Sequence, residues 1–250
     1  MATLLSTERR SRLLEILGRD GAIRVDPVAD ELGVSAMTVR RDLDDLEREG
    51  LARRVRGGAV AAIVPQGFGA RMSARSGAKG EIARKALDLI PRGGAVAFDA
   101  SSTAGTLIGQ LDETHELLLV TNSYDNLRAA QRRPGLEAVL VGGTLELRTD
   151  SFVGAVACAT AASLHYDRFF TSAAAVDLDF GTSETTLDET QVKRVFAEHA
   201  GETVLLADSR KLGRSATARA LAWEQIAVLI TELDPRDPVL DPFRDEVEIR

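Results

Sequence analysis

Six side chains near the N-terminus are of the kinds that grip or read a polyanion: Ser35, Thr38, Arg40, Arg41, Arg54 and Arg56. Hydroxyls donate to phosphate oxygens, and the planar guanidinium fork matches phosphate or the acceptor edge of guanine. A second set lies further along: Asp99 with Ser101, Ser102 and Thr103, then Thr121 and Asn122, then Gly143, and finally Lys193 and Lys211. Hydroxyls and free backbone N–H groups before a helix suit an anion, and glycine lets a backbone approach closely. His115, His165 and His199 are scattered without metal-ligand spacing. The sequence asks for no cofactor.

The first set needs a helix-turn-helix to position it. Asp26 can cap a helix with Pro27 at its first position, and Gly33 breaks the chain sharply. Ser35 is then a natural N-cap for a helix over 36–46, whose Val39, Leu43 and Leu46 recur at spacings of four and three and face inward. That leaves Ser35, Thr38, Arg40 and Arg41 on the outer face near the helix start, the positions that enter a major groove in this motif. Gly50 ends the helix. Residues 51–56 alternate like a strand, Gly57-Gly58 supplies a turn and 59–61 returns, making a wing with Arg54 and Arg56 near its tip. Asp42 reads as an orienting partner for a neighbouring arginine. A supporting helix over 7–17 turns Leu13, Ile16 and Leu17 inward.

The second set needs a parallel sheet. Residues 63–76 read as a linker, followed by a helix that contains Lys79 and runs to about Ile90. Beyond it, short apolar strands at 95–98, 117–121, 138–141, 168–172, 203–207 and 228–231 alternate with helices at 103–111, 125–132, 152–164 and 186–199, and 247–249 reads as an edge strand. This predicts a doubly covered α/β domain over 77–250 behind a winged helix-turn-helix domain over 1–62. Ligands of such sheets collect beyond the carboxyl ends of the strands, where the polar residues fall.

Composition narrows the classes. The formal charge is −7, but the first 60 residues hold 11 arginines and 11 acids, so a neutral head precedes an acidic remainder. Cys158 is the lone cysteine, which excludes an internal disulfide and points to a reducing cytoplasm; within its run of small residues it reads as buried packing. No apolar run spans a bilayer, and no signal-peptide pattern opens the chain.

Over nearly its whole length the chain resembles the DeoR family of bacterial transcriptional regulators. The likeness rests on Glu8-Arg9-Arg10, on 29–35, on Thr38-Val39-Arg40-Arg41-Asp42-Leu43 and on Arg56-Gly57-Gly58-Ala59. Further along it rests on Lys79, Asp99, Ser102-Thr103, 121–123, Gly142-Gly143, 151–154, Glu189, Lys193-Arg194 and 206–209 with Lys211 and Gly213. The resemblance implies a sensor domain related in fold to ribose-5-phosphate isomerase. It implies repression of a sugar or polyol catabolic operon, relieved by a phosphorylated intermediate, with Lys79 and Asp99 in the effector site. The chain departs from the family pattern at Ser101, where a glycine is usual. It departs again at Ala173-Ala174-Ala175, where an acid is usual, and at Glu184, whose charge would oppose a phosphate.

Two other classes compete. A phosphosugar isomerase would need a positioned base, and the alanines at 173–175 argue against one. A constitutive DNA-binding protein would use the larger domain only to oligomerise. Paired half-sites favour a dimer or tetramer in either case, because one winged helix reads few base pairs.

Overall fold

The computed structural model describes residues 6–49, 51–63, 65–112 and 116–250. Gly50, Val64 and His115 lie outside these described residues. The chain divides into two compact units, Met1–Val64 and Pro65–Arg250.

The first unit runs α1 (Ser6–Asp20), β1 (Ala22–Arg24), α2 (Val25–Leu32), α3 (Ala36–Arg48), β2 (Ala52–Val55) and β3 (Gly58–Ala61). Its core is built from Leu13, Ile16, Leu17, Val25, Val28, Val39, Leu43 and Leu46, the apolar stripes of three helices. Gly33 ends α2 in the left-handed region, φ 64°, with its N–H bonded to the carbonyls of Ala29 and Asp30. The expected cap at Asp26 is not used: α2 begins at Val25, straight out of β1, and Asp26 sits in the first turn as an acid facing the positive end of the helix. The expected Gly57-Gly58 turn is also displaced by one residue. Val55 pairs with Gly58, so the turn is Arg56-Gly57, with Gly57 at φ 83°. Gly58 is needed for another reason. The three residues of β1 pair with β3, and a Cβ on Gly58 would stand 1.8 Å from the Ile23 carbonyl oxygen.

The second unit opens with α4 (Phe68–Ser73), a helix inside the stretch expected to be linker. Then follow α5 (Ser76–Ala86), β4 (Gly93–Phe98), α6 (Ser102–Ile108), β5 (Glu116–Thr121), α7 (Tyr124–Ala130) and β6 (Leu136–Leu140). Next come β7 (Thr144–Glu146), β8 (Ser151–Val153), α8 (Ala155–Ala162), β9 (Tyr166–Thr171), β10 (Ala175–Asp177) and β11 (Gly181–Glu184). The unit closes with α9 (Leu187–Glu198), β12 (Ala200–Leu206), β13 (Ala218–Arg219), β14 (Val228–Ile230) and β15 (Glu248–Ile249). The helix expected over 152–164 starts only at Ala155, because Ser151–Val153 pairs as a strand with β7 and Gly154 turns the chain at φ 88°.

The main sheet has seven strands in the order β15-β14-β12-β9-β4-β5-β6, every pairing parallel. Side chains alternate across it. Ala97, Val120, Phe169, Leu205 and Leu229 face one core with Ala157, Val192 and Phe196 from α8 and α9. Val96, Phe98, Leu119, Phe170 and Leu206 face the other, with Ile82 and Ala86 from α5 and Leu107 from α6. Phe98 and Phe170 stack at 5.3 Å where the central strands meet. Burial on both faces is why these strands read as unbroken apolar runs. Cys158 is only partly buried, packed against the first of these cores, and burial pushes its thiol upward.

Candidate DNA interface and ligand rim

In the first unit, Ser35 caps α3. Its Oγ accepts the Thr38 backbone N–H at 3.1 Å and shares a hydroxyl–hydroxyl bond of 2.9 Å with Thr38. Val39, Leu43 and Leu46 are fully buried beneath, which turns Met37, Arg40 and Arg41 to solvent. Arg40 and Arg41 make no ion pair among the described residues. Their guanidinium groups stand free on the leading face of a capped helix.

Asp42 points the other way. Its carboxylate is buried and takes a two-pronged bond from Arg9 of α1, through Nε and, at 2.9 Å, through Nη2. The arginine it orients is therefore not a neighbour in α3 but one helix away, and this carboxylate hydrogen bond raises the already high Arg9 pKa. The structure also places the two wing arginines differently from each other. Arg56 is exposed in the turn. Arg54 is half-buried, with Nε 3.0 Å from Asp44 and Nη1 donating to the Gly58 carbonyl at 2.6 Å, while its backbone N–H donates to Glu47. Arg54 braces the wing against α3.

In the second unit, the polar strand ends meet at one rim, and Asp99 is its hub. One carboxylate oxygen accepts the Ser101 N–H at 2.9 Å. The other accepts the Ser172 N–H and the Thr171 hydroxyl, each at 2.8 Å, and stands 2.9 Å from Lys193 Nζ. Lys193 also donates to the Ser172 carbonyl at 2.6 Å and to Glu184. Burial alone would lower the Lys193 pKa, but the Asp99 and Glu184 carboxylates outweigh it and raise it. Burial would likewise raise Asp99, yet the Lys193 charge and the bond from Ser101 hold it below its ordinary value. The acid at 184 thus spends its charge on Lys193.

The other expected ligand residues divide into those already engaged and those that are not. Lys79 is buried and donates to the carbonyls of Arg71 and Ala74, closing the end of α4; burial, with help from Lys211, lowers its pKa to about 8. Lys211 donates to the Ser172 hydroxyl at 2.8 Å, and its pKa is lowered by burial. Ser101 caps α6 by accepting the Ala104 N–H, and Thr121 holds its own turn by accepting the Ser123 N–H. Gly143, at φ 109°, answers a packing need: a Cβ there would lie 2.5 Å from the Val153 carbonyl. By contrast, the hydroxyls of Ser102 and Thr103 make no hydrogen bond among the described residues. The buried Asn122 donates to the Phe152 carbonyl at 3.1 Å but leaves its Oδ1 without a partner.

Sequence reasoning missed two residues here. Asn126, buried three positions after the cap Ser123, donates to the carbonyls of Asp99 and Ser101 and ties α7 to the loop. Arg71, from the supposed linker, reaches the carbonyls of Ala100 and Thr149. The Ser–x–x–Asn spacing was a usable signal for the first. Nothing local marked the second.

Glu189 is the third acid of the cluster, buried, with its pKa raised to about 7 by desolvation first and then by repulsion from Glu184. A carboxyl raised in the folded state keeps its proton where the unfolded chain has lost it. Its stabilising contribution is therefore whole below pH 4.5, its ordinary value, and is lost as pH climbs to about 7. Glu189→Gln is expected to remove that slope, so its Tm gains on the wild type between pH 5 and 7 in parallel melts. A Tm difference independent of pH would show that Glu189 titrates alike in the folded and the unfolded chain.

A winged helix-turn-helix with a free arginine face, joined to an α/β unit whose strand ends form a polar rim, defines a two-domain regulator: one unit to read DNA, one to sense. Residues 9–63 match the model of the DeoR-like helix-turn-helix domain, and 74–233 match the DeoR C terminal sensor domain. The chain belongs to the DeoR family of transcriptional regulators. It is 32% identical to the HTH-type transcriptional regulator GlpR of Haloferax volcanii, over 98% of this chain and 95% of that one. It is 24% identical to the glycerol-3-phosphate regulon repressor of Escherichia coli K12, over 96% of each. Among solved structures, the tetrameric eIF2B β2δ2 complex of C. thermophilum aligns with a TM-score of 0.53 at 12% identity, over 96% of this chain and 88% of that one. That likeness concerns the fold alone. No helix among the described residues is long and apolar enough to cross a membrane.

Proposed function

We propose that this protein is a cytoplasmic repressor of a sugar or polyol catabolic operon, released from its operator by a phosphorylated sugar or polyol. The observation that carries the reading is the free Arg40–Arg41 pair on a helix capped by Ser35 and braced by a wing. In this reading Ser35, Thr38, Arg40 and Arg41 face the major groove and Arg56 meets the backbone, with Arg54 in support. The effector is received at the turn after β4, where the Ser102 and Thr103 hydroxyls are unspent. Asp99, Ser101, Thr121, Asn122, Gly143, Lys79, Lys193 and Lys211 hold the shape and charge of that turn. A repressor of the glycerol-3-phosphate regulon among the relatives supports a phosphorylated effector.

The protein is read as a binding protein and not an isomerase. Asp99 and Glu184 are committed to Lys193, and positions 173–175 offer only alanine. It acts as a homo-oligomer, because one winged helix covers too few base pairs for operator selection.

The test is fluorescence anisotropy on duplexes from upstream of the protein's own gene, with glycerol 3-phosphate and hexose phosphates titrated in beside their unphosphorylated parents. The expected result is sequence-specific binding weakened by a phosphate ester and not by its parent. Specific binding indifferent to every compound would keep the DNA-reading unit and discard the effector.

A further inference from the structure

The stretch from Gly67 to Lys79 is fastened to the ligand rim along its length. The Phe68 N–H donates to Asp150 Oδ2 at 2.7 Å, and the Phe68 ring is buried against Gly105 of α6, where an added Cβ would meet it at 3.0 Å. Arg71 donates through Nη1 to the Ala100 carbonyl at 2.9 Å and through Nη2 to the Thr149 carbonyl. Its guanidinium lies 5.6 Å from the Phe68 ring, and its buried Nε–H has no acceptor among the described residues. Lys79 gathers the carbonyls of Arg71 and Ala74, and Arg75 pairs with Glu232 beside Asp208.

Backbone strain collects at these fastenings. Among the described residues two that are not glycine take positive φ: Arg75 at 57° and Asp150 at 54°. Each costs energy that the surrounding contacts must offset, and both are anchor points of this one stretch. A segment serving only as a connector would have no need of a strained anchor, nor of a half-buried guanidinium bridging two loops.

Ala100 lies between Asp99 and Ser101, in the turn proposed to receive the effector, and α4 is the first element after the wing strand in the chain. We infer that α4 is the coupling element of this protein and Arg71 its positioning residue. Arg71 holds the turn through the Ala100 carbonyl, so a phosphate drawn to the Ser102 and Thr103 hydroxyls shifts that carbonyl and changes the grip without itself meeting the guanidinium. That change moves α4 and the chain leading back to the wing. The inference rests on the effector reading above, and it assigns a role to a residue that touches neither DNA nor the strand-end carboxylates.

The experiment compares Arg71→Lys and Arg71→Ala with the wild type and with Arg84→Ala, which removes an equal charge from the exposed face of α5, where Arg84 pairs with Glu81. Operator affinity is read by anisotropy with and without glycerol 3-phosphate or whichever titrated phosphate ester releases the wild type. Binding of that ester is read separately by calorimetry, and folding by circular dichroism. Allosteric couplings run to about 5–150-fold. The expected result is that both Arg71 variants still bind operator and ester, while the ester-induced loss of operator affinity falls to within about twofold of none. Arg84→Ala responds as the wild type does. Should Arg71→Ala not fold, Arg71→Lys, which keeps the charge and loses the two-pronged grip, gives the answer. A full response in the Arg71 variants overturns the coupling role alone. A wild type that binds operator but answers no ester overturns the effector reading and the coupling with it.

Discussion

Replacing Asp42 by alanine is expected to unfold the DNA-reading unit while the sensor unit keeps its structure. The substitution leaves the Arg9 guanidinium, 8% exposed, without the carboxylate that takes two of its hydrogen bonds. Breaking a buried pair from one side costs about 3–5 kcal/mol, a large part of the roughly 5–15 kcal/mol that holds a domain together. The measurement needs a local probe. The single tryptophan, Trp223, and both tyrosines lie in the second unit, so fluorescence reports only there. Amide hydrogen exchange resolved by peptide follows α1 and α3 directly. Protection in both is expected to collapse with little change in β4, β9 and β12, and operator binding to be lost with it. The double variant Arg9→Met/Asp42→Leu replaces two charges by apolar volume and is expected to recover most of the protection. Wild-type exchange in Asp42→Ala would mean that the pair carries no load.

The second large effect concerns base selection. Arg40→Ala and Arg41→Ala are expected to fold normally, since both side chains are exposed and unpaired among the described residues. At least one of them is expected to lose about 1–3 kcal/mol of discrimination, the worth of a two-pronged arginine–guanine contact. The loss is seen as a flattened ranking across duplexes carrying single base-pair changes, at fixed salt. Arg56→Ala serves as the contrast. A wing arginine on the backbone lowers affinity for all duplexes alike and reduces the salt slope by about one. If both α3 variants keep the wild-type ranking, the recognition face lies elsewhere.

What could be read from sequence followed the range of the interaction. The cap at Ser35, the left-handed Gly33 and the Val39–Leu43–Leu46 stripe are set by residues a few positions apart, and the structure has them as expected. The long strands were legible too, because burial on both faces writes itself as apolar runs. The short strands β1, β7, β10 and β13, of two or three residues, carried too little pattern to be seen, and β1 is what displaced the α2 boundary and demanded Gly58. Partners distant in the chain were invisible. Lys193 reads as a loose cation until Asp99 and Glu184 are brought beside it, and Asp42 reads as a partner for its own helix until α1 crosses it. Arg71 was missed because Gly67 and Gly69 around it imitate a flexible connector, while its acceptors are backbone carbonyls with no sequence signature.

The strand order also bears on how the chain comes to be folded. The centre of the sheet is the ladder between β4 and β9, which sets Val96 against Arg168 and Phe98 against Phe170. During synthesis β4 must wait for three helices, two further strands of the sheet and a hairpin to emerge before its central partner exists. The first unit has no such wait, since its most distant strand pairing joins Ala22 to Val60. Local contacts form early and non-local parallel pairings late. A ribosome part-way through this message therefore carries a finished DNA-reading head on an unfinished sensor, with the edge of β4 that awaits β9 unpaired in the interval.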